Sequence, residues 1–134
     1  NEIEKISEVL INNEVEGIII SNTSNVTREK LIDIQKHQKG GLSGKPIEEK
    51  SNLLINKFYK NLKNKIKIIG VGGVDSGLSA YNKFLAGADY IQLYTGMVYK
   101  GPNIVNIIKN DLRKILTQEG VKNFTEIIGN KSKL

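Results

Sequence analysis

The sequence predicts an α/β fold built on parallel strands. Three short runs of β-branched or apolar residues alternate with longer segments of helical periodicity, which is typical of parallel sheets with right-handed crossovers. Small and polar residues follow the C-terminal end of each run, at the edge where parallel α/β sheets bind ligands. The runs predict buried strands at residues 17–23, 66–73 and 89–95.

Helices are predicted in the intervals between these strands. Ile3, Ile6, Val9 and Leu10 follow helical spacing without a capping residue before them. Serine or aspartate at a helix start and glycine just past its end are common capping residues, and proline suits a first turn. On these signals, further helices are predicted at about 48–62, from Asp75 or Ser76 to Gly87, from Pro102 onward and over 124–128.

Three strands are too few to close a barrel or to form a stable open parallel sheet. A complete (β/α)₈ barrel needs roughly 250 residues, whereas this chain has 134 and starts with Asn1. We therefore expect residues 1–134 to be the C-terminal part of a single TIM (β/α)₈-barrel domain, about three β/α units. The remaining strands are expected before Asn1.

Composition excludes several classes of function. The net charge is +6, but the lysines are scattered and no aromatic residues alternate with them, so nucleic acid is not an expected partner. The chain has no cysteine and no metal-ligand spacing, so neither a disulfide framework nor a metal site is predicted. It also has no apolar run long enough to span a membrane.

The glycines at 70–73, at the end of the second predicted strand, suggest a phosphate site. Glycines let the backbone approach a ligand, and exposed N–H groups beside a helix suit a dianion. The dinucleotide fingerprint is not met, because its third glycine position is occupied by Asp75. Close helix–strand packing is the alternative explanation. Tyr94, Thr95 and Gly96 end the next strand and would complete the same anion site, or form an ordinary turn with a packing aromatic residue.

Two other segments carry groups suited to binding. The turn from Gly40 to Pro46 is not a Walker A motif, because Lys39 replaces the first glycine and Pro46 replaces the hydroxyl residue. It can wrap a planar cofactor or be a flexible turn. Ser21, Asn22 and Thr23 offer hydroxyl and amide groups for an amide-like ring or a carboxylate, or simply cap a strand end.

These four segments, in this order, resemble the dihydroorotate dehydrogenase family. The resemblance rests on Gly17–Thr23, Gly40–Pro46, Ile69–Val74 and Ile91–Thr95 and runs from about Glu14 to Gly129. The Gly-Lys-Pro turn and the Gln-Leu-Tyr-Thr strand are similar to the quinone-linked class 2 branch.

The resemblance implies an FMN-containing barrel that oxidises dihydroorotate to orotate and passes electrons to a membrane quinone. It implies that Ser21 and Gly44 contact FMN and that Gly73, Tyr94 and Thr95 hold its phosphate through backbone N–H groups. Asn22 and Thr23 would bind the pyrimidine substrate.

The family's catalytic serine and flavin-side lysine have no counterpart in this chain, so no catalytic residue is assigned here. The resemblance implies peripheral attachment to the bacterial or mitochondrial inner membrane through an N-terminal region that this chain lacks. The alternatives are a flavin-free phosphate-binding barrel enzyme, such as a sugar-phosphate isomerase or lyase, and a non-enzymatic partner-binding module.

Overall fold

The computed structural model describes residues 2–25, 28, 31–62 and 64–130 of the chain. These residues form a three-stranded sheet with helices between and after its strands. The strands are β1 (Gly17–Ile20), β2 (Lys67–Val71) and β3 (Tyr90–Gln92). The α-helices are α1 (Glu2–Asn12), α2 (Glu48–Leu62), α3 (Gly77–Ala86), α4 (Thr95–Lys100) and α5 (Ile104–Gln118), and short 3₁₀ turns span Lys45–Ile47 and Phe124–Ile127.

The sheet is parallel throughout and has the order β1-β2-β3. Gly17 pairs with Lys67, and Ile69 pairs with Tyr90. Helix α2 connects the first two strands and α3 connects the second and third. The predicted parallel α/β class is therefore confirmed, and the C-terminal ends of all three strands meet at one edge of the sheet.

The core lies between the sheet and its helices. Its largest cluster joins Ile20 and Ile68 of the sheet to Ile55, Phe58 and Leu62 of α2. Ile55 is completely buried, and burying a side chain of this size contributes about 1.5–3 kcal/mol. A separate cluster packs α3 against α5 and the last 3₁₀ turn. These contacts fix the strands and hence the positions of the segments that follow them.

The strands are shorter and less buried than predicted. Strand β3 ends at Gln92, so Thr95 does not belong to it, contrary to the prediction. Ile19 is 55% exposed and Tyr90 is 59% exposed. Successive side chains of a strand point to opposite faces, and within the described part of the chain only one face of the sheet is covered by helices. A fully buried strand requires cover on both faces.

The capping signals predicted helix ends accurately. Helix α2 has the predicted bounds. Ser76 caps α3 in a capping box with Ser79, and Gly87 ends that helix in the left-handed conformation. The helical spacing at the start of the chain is confirmed by α1, although Ile6 and Val9 remain exposed.

Two features after β3 differ from the prediction. The segment interpreted as a strand end and turn starts α4 at Thr95 instead. Pro102 does not lie in the first turn of α5, because Asn103 is the N-cap and Ile104 is the first helical residue. Gly101 ends α4 with a positive φ of 74°, and the proline occupies the turn between the two helices.

Candidate functional site

A cleft of about 210 Å³ opens where the three strands end. Its walls come from the segment after β1, the loop before α2, the turn after β2 and the start of α4. Parallel strands bring these distant segments together, because their C-terminal ends share one edge. All seven residues that the sequence analysis placed in binding roles line this cleft: Ser21, Asn22, Thr23, Gly44, Gly73, Tyr94 and Thr95.

The segment after β1 remains attached to β2 beyond the paired residues. The Ser21 amide donates a hydrogen bond to the Val71 carbonyl over 3.4 Å, and the Ile20–Ser21 peptide bond is cis. Asn22 Oδ1 accepts a 2.7 Å hydrogen bond from the Thr23 amide. The carboxamide NH₂ of Asn22 has no partner among the described residues, and its side chain is exposed. The segment therefore presents free polar groups to the cleft.

The glycine-rich turn before α2 closes one side of the cleft. Thr95 Oγ1 donates a 2.9 Å hydrogen bond to Ser43 Oγ. A Cβ atom at Gly44 would lie only 2.9 Å from Thr95 Cγ2, so the turn lies directly against the start of α4. Ser24 and Leu42 form an antiparallel bridge that ties the other side of the turn to the segment after β1.

The position of Gly73 is consistent with both interpretations left open by the sequence, close helix–strand packing and a phosphate site. Its φ is +78°, and a Cβ atom there would lie 2.6 Å from Glu48 Cα and 2.9 Å from Glu48 N. Close packing between the β2 turn and α2 therefore requires glycine. The amides of Gly72, Gly73 and Val74 nevertheless donate no hydrogen bond to any described residue. The same turn is thus closely packed on one side and open to an acceptor on the other.

The start of α4 adds a second group of free amides. Tyr94 is the N-cap residue, and the N–H groups of Thr95 and Gly96 have no acceptor in the described chain, as expected for the first turn of a helix. The Tyr94 side chain is 78% exposed, so it does not pack against the described part of the chain. Free amides after β2 and after β3 therefore line one cleft.

A balanced cluster of four charges lies beside the cleft. Lys45 Nζ is 2.5 Å from Glu48 Oε2 and 3.5 Å from Asp75 Oδ1, and Lys100 Nζ is 3.6 Å from Asp75 Oδ2. Burial would raise the pKa of the Asp75 carboxyl, but the two ammonium groups outweigh it and lower that pKa below its usual value. The Glu48 hydrogen bond is the largest cause of the raised pKa of Lys45. The cluster is formally neutral, so the free amides are the groups left to bind an anion.

A larger and more open hollow of about 640 Å³ lies on the other side of the glycine-rich turn. It is bounded by Arg28, by described residues between 31 and 46 and by α4. Arg28 supports these residues by donating hydrogen bonds to the carbonyls of Lys36, Gln38 and Gly40. Ser43, Gly44 and Thr95 border both hollows. The smaller cleft is the better candidate site, because it alone contains all seven predicted residues.

Three residues near the site were missed or misassigned from the sequence. Lys83 and Ser51, which lie under the β2 turn, were not identified. Glu48 carries no sequence signal for burial, yet its side chain is only 13% exposed. The only sequence signal for Lys83 is its helical spacing of three residues from Ala80 and Ala86 of α3. That signal does not show burial by itself, because it does not say which element packs against this face of α3.

Neither a metal centre nor a membrane span is found in the part of the chain that the structure describes. No three histidine or acidic side chains gather there in a way that suits a metal ion. No helix among the same residues is long and apolar enough to cross a bilayer.

Comparison with known sequences places this geometry in one family. The profile of the family described as dihydroorotate dehydrogenase matches residues 1–116. The chain is 41% identical to dihydroorotate dehydrogenase (quinone) of Deinococcus radiodurans over 84% of its own length and 30% of the relative's. It is 40% identical to the enzyme of the same name from Bartonella tribocorum, over 93% of the chain and 35% of the relative. The chain thus spans about a third of these relatives.

Solved structures agree with the sequence comparisons. The crystal structure of dihydroorotate dehydrogenase from Eimeria tenella in complex with ferulenol superposes with a TM-score of 0.93 at 34% identity, covering 99% of this chain and 35% of that one. The ligand-free type from the same organism gives a TM-score of 0.92 at 36% identity, covering 96% of this chain and 36% of that one. The prediction of a partial (β/α)₈ barrel is confirmed, and the chain belongs to the dihydroorotate dehydrogenase family.

Proposed function

We propose that the full-length protein containing this chain oxidises dihydroorotate to orotate in de novo pyrimidine biosynthesis. FMN is the hydride acceptor and a quinone is the final electron acceptor. Residues 1–134 are the C-terminal part of its single FMN-binding barrel domain. The observation that carries the proposal is the convergence of seven family-motif residues on one cleft, in a chain that matches the family over residues 1–116.

The FMN phosphate is held by backbone amides of Gly73, Tyr94 and Thr95. Support comes from the unpartnered N–H groups after β2 and at the start of α4. Loops after two successive strands, with a short helix, are a recurrent phosphate site in (β/α)₈ enzymes. Backbone amides can bind a phosphate even where the neighbouring side chains carry no net charge, because their aligned N–H dipoles attract the phosphate's negative charge.

Ser21 and Gly44 contact the rest of FMN. The Ser21 hydroxyl has only a long 3.4 Å hydrogen bond to the Asn22 carbonyl, so it is available to a ligand. Gly44 has no side chain to narrow the cleft beside Thr95. Both residues line the same hollow as the free amides, so one phosphate-bearing ligand can reach both.

Asn22 and Thr23 hydrogen-bond the pyrimidine ring. The Asn22 carboxamide offers donors without an internal partner, and both side chains are exposed at the cleft. Amide and hydroxyl groups match the alternating donors and acceptors of such a ring. Fixing the ring against the cofactor can lower the barrier by several kcal/mol. FMN itself supplies the hydride-accepting chemistry, and the catalytic base is contributed by residues outside this chain.

Purified full-length protein tests the proposal directly. We expect visible flavin absorption that bleaches when dihydroorotate is added without oxygen. Asn22→Ala should retain the flavin but reduce it about 100-fold more slowly, because the ring is no longer fixed. Asn13→Ala, in the turn after α1 and outside the residues that line the cleft, is the matched control. A protein without flavin, or with flavin that dihydroorotate does not reduce, would reject the proposal and reopen the sugar-phosphate alternative.

Quinone specificity and membrane attachment need separate measurements. The reduced protein should be reoxidised faster by a ubiquinone analogue than by fumarate or NAD⁺. The full-length protein should sediment with inner membranes and be released by detergent, as expected for peripheral attachment. Preference for fumarate or NAD⁺ would move the protein to another branch of the family.

A further inference from the structure

Lys83 is a completely buried lysine that has no role in the proposed function. It lies on α3, and its side chain is 0% exposed. Its Nζ donates hydrogen bonds to Ser51 Oγ at 3.1 Å and to Asn52 Oδ1 at 2.8 Å, both on α2. Burying an ammonium group costs free energy, because it leaves water for a low-dielectric interior. No carboxylate lies within ion-pair distance of Lys83 in the described chain; Glu48 interacts with it only from farther away.

Gly70 is what allows Lys83 to reach this position. A Cβ atom at Gly70 would lie 2.8 Å from Lys83 Cγ and 2.9 Å from Lys83 Cδ. The stem of the lysine therefore crosses β2 at the position where the strand has no side chain. The glycines at 70–73 have two roles: Gly70, within β2, makes room for Lys83, and Gly73, after β2, packs on α2 while presenting its amide.

The contacts continue from Lys83 to the turn itself. Ser51 accepts from Lys83 and donates its own hydroxyl proton to the Val71 carbonyl over 2.6 Å. The same carbonyl accepts from the Ser21 amide. A Cβ atom at Gly72 would lie 3.3 Å from Ser51 Cβ. The chain of contacts from Lys83 thus ends on the residues that flank the free amides and on Ser21.

We propose that Lys83 is a positioning residue for the phosphate group of the cofactor. It orients Ser51, which holds the Val71 carbonyl and so fixes the direction of the amides that follow. This inference rests on the proposed function, because it assumes that those amides bind phosphate. A buried cation held only to fill space would be replaceable by an apolar side chain of similar length.

Paired affinities for FMN and riboflavin distinguish this role from simple packing, because riboflavin has the same ring without the phosphate. In apoprotein prepared from the full-length protein, Lys83→Met and Ser51→Ala should each weaken FMN binding about tenfold, as expected for loss of a hydrogen bond that fixes the site. Riboflavin affinity should change less than about twofold. The double variant should lose about tenfold rather than about 100-fold, because both side chains act through one connection.

The matched control is Phe84→Leu, the next residue of α3. Its ring packs against Phe124 on the side away from the turn, with ring centroids 5.3 Å apart. It should lower the melting temperature without changing the ratio of the two affinities. Equal losses for FMN and riboflavin in both Lys83→Met and Ser51→Ala, or no loss in either, would overturn the inference. A wild-type protein that does not prefer FMN to riboflavin would instead overturn the proposed function.

Discussion

The two ends of β2 differ in how they use polar groups. At the start of the strand, Lys67 Nζ lies 2.7 Å from Asp89 Oδ1, and Asp89 Oδ2 accepts from the Ile68 amide at 2.9 Å. The Asp89 amide in turn donates to the Ile68 carbonyl. At the other end, the amides of Gly72, Gly73 and Val74 have no acceptor among the described residues.

The two ends of β2 therefore have different roles, one in stability and the other in ligand binding. Buried polar groups without partners cost free energy, so the N-terminal end contributes more to stability. The C-terminal end retains free donors that a ligand can satisfy. Substitutions at the first end should therefore change unfolding without changing flavin binding, whereas those at the second end should weaken flavin binding as well.

Gly73→Ala should have the largest effect. Its Cβ would collide with the Glu48 backbone, and its φ of +78° is unfavourable for alanine. We expect about 3 kcal/mol of destabilisation and flavin binding weakened by about 100-fold or more. Thermal unfolding and flavin content measure the two effects.

Gly101→Ala is the control for this prediction. Gly101 has a similar φ of +74° but nothing within 4 Å of its Cβ position, so only the conformational cost of about 1 kcal/mol remains. If the two variants behaved alike, close packing at Gly73 would not be the determining factor.

Raising the pH should stabilise the protein through Lys83. Burial lowers the pKa of Lys83 from 10.5 to about 8. Between these values the unfolded chain binds a proton that the folded chain lacks, so the free energy of unfolding rises with pH, by about 3 kcal/mol in total. Below pH 8 the lysine is protonated in both states, so the cost of burying its charge is fully present.

Urea unfolding between pH 7.5 and about 9 measures this slope. The pKa values of Lys45, Lys67 and Tyr81 are raised from ordinary values of 10 or more, so these groups stay protonated in both the folded and the unfolded chain in that window. Lys83→Met should remove the slope. A slope that persists in this variant would show that another group causes it.

Asp89→Ala should destabilise the N-terminal end of β2 by about 2 kcal/mol, because the Ile68 amide loses its acceptor. Flavin affinity should be unchanged. Asp111→Ala removes an exposed ion pair with Lys114 and should cost at most about 0.5 kcal/mol. Denaturant unfolding and flavin titration of both variants test whether the N-terminal end of β2 affects stability alone. Weaker flavin binding in Asp89→Ala would contradict this prediction.

Ser43→Ala should have the smallest effect among the variants in the cleft. It removes the 2.9 Å hydrogen bond from Thr95 but leaves the backbone of the turn intact. We expect FMN binding to weaken about threefold, since a partly exposed hydrogen bond contributes about 0.5–1 kcal/mol. A tenfold or greater loss in flavin titration would mean that this hydrogen bond, rather than the amides, organises the site.

The sequence by itself determined the elements and the edge where the site lies. The spacing of apolar residues predicted α2, and Ser76 and Gly87 predicted the ends of α3. Because residues after parallel strands share one edge, the seven candidate residues could be predicted to meet. These are local or topological rules that need no coordinates.

Only the tertiary structure decided what surrounds each residue. It showed that Thr95 starts a helix, that Glu48 is packed under Gly73 and that Lys83 is buried beside Gly70. A lysine in a helix is normally at the surface, and its burial depends on a missing side chain in a strand that precedes it in sequence. The contact between Lys83 and Gly70 depends on how the two elements fit together in three dimensions. Periodicity and capping signals describe only one element at a time and therefore do not predict it.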